Sequence, residues 1–288
     1  MTIKTQLTRL FFFLSFSVLI IGCKSVAQKV NTNLDTIYSC SEFKKSTPTA
    51  EWEEFSSLFT ANSIKSERFE GLNQDEKHFL QSAKEAKAWD LFEEATTLLQ
   101  ADKNRKKANN LFTKIATDYP QTYYANQAKE LSNLLSQMMI EDANWKEPSD
   151  INDLSLHQQI EYHIYQLRNI AAEQIGQPAN CSVFDTPKGE YNAAISLKKI
   201  GKPAIPFLIN LLDDRRPLST IGYFRDFYPT RTILRYQDAA VEILNQITQE
   251  SFYTNTCTAC YFSTESCEFR TQKWNDIKNW YNKEPKNN

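Results

Sequence analysis

The stretch that decides the fold is AAISLKKIGKPAIPFLINLLD, residues 193–213. Ala193, Ala194, Leu197 and Ile200 recur at the spacing of one helix face. Gly201 follows, and glycine closes helices because it adopts left-handed backbone without a Cβ clash. Pro203 or Pro206 then opens a second helix, in the first turn, where a missing N–H costs nothing. Ile205, Leu208, Ile209, Leu211 and Leu212 give that helix its own apolar face. Short helices of this kind cannot bury their faces alone, so they must stack on neighbours. A partial second unit spans Asp238 to Thr248, with Ala239, Ala240, Ile243, Leu244 and Ile247. The insertion 215–236 separates the two.

This pattern resembles a HEAT-type helical repeat. Upstream, helical spacing begins at Asp75 with Phe79, Ala83 and Ala86, and the segment through Leu99 lacks Gly and Pro. A second helix carries Ala108, Phe112, Ile115 and Ala116 and ends at Tyr119-Pro120. A third carries Ala125, Ala128, Leu131 and Leu135. From Asp90 to Met138 these residues resemble a tetratricopeptide unit: Ala108, Phe112 and Pro120 hold the expected mutual spacing, and Phe92 and Leu99 suit the first helix. Thr96 stands where that family carries glycine. The run through Tyr119-Pro120 and the following Tyr-Ala is also similar to repeats of outer-membrane assembly lipoproteins. An ordinary helical hairpin is the alternative. The resemblances imply an all-α fold, with helical hairpins stacked as a short α-solenoid, tetratricopeptide-like over 49–143 and HEAT-like over 150–288.

Between these regions lies a polar break, Asn144 to Asp153. Ser155 and Gln158 then form a capping-box pattern. Leu156, Ile160, Ile164, Leu167 and Ala171 make one stripe, predicting a helix that Gly176 and Pro178 stop. A last helix is predicted from Thr271 to Asn282, with Trp274, Ile277 and Tyr281 on one face. The segment near 251–269 is predicted to be irregular or a small hairpin.

The N-terminus reads as an address. Lys4 and Arg9 precede an apolar run from Leu10 to Ile21, which is the pattern of a secretory signal. Ile20-Ile21-Gly22-Cys23 resembles the bacterial lipobox. That resemblance implies a signal peptide over 1–22, a diacylglycerol on Cys23 and cleavage before it. Two or more acyl chains, at ~0.8 kcal/mol per buried methylene, anchor stably where one is marginal. Residues 23–48 then read as a polar, lipidated tether. Lys24, where the enterobacterial rule places Asp for inner-membrane retention, points to the outer membrane of a Gram-negative cell.

Composition narrows the function. The net charge is −2, without the basic excess of a nucleic-acid binder. Only 6 glycines occur, which disfavours phosphate-cradling loops and doubly wound sheets. No cofactor or metal is implied.

The insertion is the first candidate binding site, with Arg215, Arg216, Tyr223, Phe224, Arg225 and Arg231. Guanidinium groups suit carboxylates or phosphates, and aromatics suit stacking. The competing reading is internal: Asp213, Asp214, Asp226 and Asp238 nearly balance the arginines, so pairs would pin the insertion onto the helices. Cys181, Cys257, Cys260 and Cys267 are candidate disulfide residues in an oxidising compartment. A redox pair lacks the expected βαβ context, and a zinc site lacks a second close pair. His157 and His163, six apart, cannot share a metal on one helix, and with His78 they read as surface or interface histidines. The expected activity is protein binding or scaffolding at the cell envelope, with a protein partner. An envelope enzyme with its pocket at 215–236 is the alternative.

Overall fold

The computed structural model describes residues 74–101, 103–176, 179–223, 231–255 and 260–283, with side chains from residue 82. The chain divides into two compact units, Met1–Ala83 and Lys84–Asn288. The address, the tether and most of the first unit lie outside the described residues. The described chain is mostly helical, with a two-stranded sheet.

Three helices come first: α1 (Gln74–Gln100), α2 (Arg105–Asp118) and α3 (Tyr123–Asn144). Asn104 caps α2 by accepting the Lys107 N–H at 3.1 Å. Phe92, Phe112, Ala108, Ala128 and Leu131 are fully buried together in one core. The Phe92 and Phe112 rings meet edge to face at 5.4 Å. Burying each such ring is worth roughly 1.5–3 kcal/mol. Thr96, at the position that resembles a repeat glycine, is buried and returns its hydroxyl to the Glu93 carbonyl at 2.9 Å.

The second core gathers α4 (Leu156–Gln166), α5 (Ala193–Ile200), α6 (Ile205–Asn210), α7 (Tyr236–Thr248) and α8 (Cys267–Lys283). The capping box forms: the Ser155 hydroxyl accepts the Gln158 N–H at 3.4 Å, and Gln158 Oε1 accepts the Ser155 N–H at 3.0 Å. Asn192 accepts the N–H groups of Ala194 and Ile195 at the start of α5. Gly201 ends α5 at φ +74°, and Pro206 stands in the first turn of α6.

Two expectations need correction. The helix opened by Ser155 does not run to Gly176. It ends at Gln166, followed by a 3-10 turn at Leu167–Asn169 and an extended chain. The cause is tertiary. The Ser219 hydroxyl donates to the Arg168 carbonyl at 3.0 Å, and that of Thr220 to the Ile170 carbonyl at 2.9 Å. Thr220 also accepts the Ala172 N–H at 3.0 Å, and Gln100 donates to the Ala172 carbonyl at 3.3 Å. Backbone groups that a helix would pair are paired by neighbours instead.

Second, the insertion is not simply a loop. Its ends form an antiparallel hairpin, β1 (Pro217–Gly222) and β2 (Thr232–Arg235), with Ile221 opposite Ile233 and Gly222 opposite Thr232. Every residue of β1 is buried. Leu218 and Leu234 join the core of α4–α8, whereas Ile221 and Ile233 join that of α1–α3. The hairpin therefore bridges both cores. Of the two forms expected for 251–269, the described residues take the irregular one, with a 3-10 turn at Phe262–Thr264 and no strand. Strand residues are instead those of 215–236.

Candidate functional site

The hairpin arginines lie where carboxylates of the helices can reach them. Arg215 pairs with Glu130 of α3 at 2.6 Å, and Arg235 reaches the same carboxylate at 3.6 Å. Arg235 also donates to the Arg215 carbonyl at 2.7 Å. Arg216 grips Asp214 through Nε at 2.9 Å and Nη2 at 2.6 Å, pairs with Glu141 at 3.0 Å, and lies over the Tyr236 ring. Arg231 pairs with Glu93 of α1 at 3.0 Å and sits over the rings of Trp89 and Tyr223. Phe224 and Arg225 lie outside the described residues, as does Asp226.

The pairing of the described arginines is thus internal, and carboxylates from outside the insertion join in it. Glu93, Glu130 and Glu141 supply the carboxylates alongside Asp214. Asp238 serves the backbone, accepting the N–H groups of Arg235 and Ser263 at 2.7 Å each.

Beneath this seam lies Arg168, 1% exposed. It pairs with Glu141 and, at 2.6 Å, with Asp142, and lies 4.1 Å over the Tyr165 ring. Burial alone would lower its pKa. Tyr236, Glu141 and Asp142 outweigh burial and hold the guanidinium above its ordinary value. Glu141 answers in kind: burial pulls its pKa up, and Arg168 and Arg216 bring it below the ordinary carboxylate value. Arg105 bonds Asp142 at 3.1 Å, yet burial leaves its pKa lowered.

The cysteines divide. Cys181 is buried and free, a correction to its place among candidate disulfide residues. Its thiol donates toward the Ile221 carbonyl at 3.5 Å, and burial pushes its pKa up to about 11, so it is not a reactive thiolate. Cys260 and Cys267 each have a partner, and Cys257 lies outside the described residues. Among the histidines, His157 is exposed and pairs with Glu161 at 3.3 Å. His163 is buried rather than at the surface, and its Nδ1 meets the Tyr191 hydroxyl.

One cluster has no counterpart in the sequence reading. Trp145 closes α3, Tyr162, His163 and Tyr165 lie on α4, and Tyr191 precedes α5. Trp145 stacks on Tyr165 with centroids 3.6 Å apart and planes within 5°. Since Arg168 also lies over Tyr165, the two must occupy opposite faces of that ring. Tyr162 stands 6.2 Å from Trp145 and 6.5 Å from Tyr191, inclined to both. Glu147 ties the group together: Oε1 accepts the Tyr162 hydroxyl at 2.8 Å, and Oε2 accepts the Trp145 indole N–H at 2.9 Å. Burial first, then the Glu147 carboxylate, raises the Tyr162 pKa to about 12. Tyr191 remains half-exposed at 50% and bonds Nδ1 of His163 through its hydroxyl. The legible signal was limited to Tyr162 and Tyr165, three apart and on neighbouring rows of one helix.

Among the described residues, no group of three or more His, Cys, Asp or Glu is placed to hold a metal ion. Comparison with known protein families, characterised proteins and solved structures gives no match for this chain. Its reading therefore rests on its own residues.

Proposed function

We propose that the chain is anchored to the cell envelope by lipid on Cys23, in the outer membrane, and acts there as a protein-binding or scaffolding module built of helical repeats. The anchor rests on Ile20 to Cys23 after the apolar run. No described helix is long and apolar enough to cross a membrane. The repeat reading rests on helices whose apolar faces meet in cores spanning several hairpins. Disulfide bonding of Cys260 and Cys267 belongs to the same reading, supported by the exported address.

One observation carries the binding role over the enzyme alternative. The described arginines of the insertion lie against the protein's own carboxylates, so the pocket on which an enzyme reading depended loses its free charges. Tyr191, 50% exposed, and the exposed Glu147 lie outward and are suited to contact.

The test is fractionation of cells labelled with fatty acid, followed by crosslinking of the envelope. Wild-type protein should take up label, sediment with the outer membrane and crosslink to a defined protein. Cys23→Ser should lose the label and leave the membrane or fail to mature. Unlabelled wild type would refute the anchor; labelled protein without any crosslinked partner would refute the binding role.

A further inference from the structure

We draw no further inference here: the strongest candidate, the open cavity of about 610 Å³ between α5 and α7 lined by Phe184, Ile195, Lys198, Lys199 and Glu242, points to no ligand, because Ser182 and Val183 occupy the Glu242 carboxyl, Gln246 holds the Lys198 ammonium, and Lys199 is one exposed lysine among many.

Discussion

The hairpin of 215–236 and the surface around Glu147 place charge in opposite ways. At the hairpin, Arg215, Arg216 and Arg231 each face a carboxylate from Glu130, Asp214, Glu141 or Glu93. At the surface, Glu147 faces an indole N–H and a phenol. The first region looked like a recognition element because its sequence is dense in arginine and aromatic residues. The second drew no notice because its residues are scattered from 145 to 191. Density in sequence measures how many charges a segment carries, and only the fold decides whether they are turned inward. A charge facing an opposite charge ties elements of the body together; Glu147, facing neutral donors, ties two rings together.

The strongest way to break this contrast is to remove the centre of the inward network. Arg168→Met keeps much of the volume but deletes the cation shared by Glu141 and Asp142. Breaking a buried pair by removing one partner costs about 3–5 kcal/mol. The carboxylates here are partly exposed and keep Arg216 and Arg105, so the loss should fall near the lower end, about 3 kcal/mol. Urea unfolding measures it. Glu147→Gln should stay within about 0.5 kcal/mol of wild type, as surface substitutions do. A loss under about 1 kcal/mol for Arg168→Met, or a comparable loss for both variants, would erase the distinction between the regions.

The next largest effect concerns how the hairpin is seated. A Cβ on Gly222 would lie 2.2 Å from the Tyr261 hydroxyl and 2.7 Å from its Cζ. Tyr261 is 2% exposed and accepts the Cys181 N–H at 2.9 Å, so it cannot swing aside freely. Overpacking of this kind costs typically 1–3 kcal/mol, and Gly222→Ala should lower the melting temperature accordingly. A melting temperature equal to that of wild type would mean that β1 floats rather than bridging the two cores.

These sites also mark where the sequence was legible. Asn104, Ser155 and Gly201 act within one turn of their own helices, and local pattern sufficed to place the boundaries they set. The hairpin carried a readable signal as well, since Thr220, Ile221, Thr232 and Ile233 are β-branched residues. The arginines around them drew the reading toward a loop. The early end of α4 was not legible at all. The bonds that unwind residues 168–172 come from Ser219, Thr220 and Gln100, roughly fifty or seventy positions away in sequence. The Glu147 surface was hidden for the same reason, since Trp145 and Tyr191 meet only across α4.

The smallest effect, and the one that sharpens the outward region, is a pH dependence. Burial lowers the His163 pKa below its ordinary 6.5. The folded state then binds fewer protons than the unfolded chain in the window from about 6.5 down to the lowered value. Stability therefore rises with pH through that window: the benefit of a neutral imidazole is complete above about 6.5 and is lost as the pH falls. Protonation also turns Nδ1 into a donor, so it can no longer accept the Tyr191 hydroxyl. His163→Gln retains an acceptor and does not titrate. Urea midpoints compared pairwise between pH 5 and pH 7.5 should drop further on acidification for wild type than for the variant. The difference isolates His163 from the buried Asp238 and Glu242, whose raised pKa values act in both proteins and with the opposite sign. Parallel curves would show that His163 titrates alike folded and unfolded, and that Tyr191 is not held by a neutral ring.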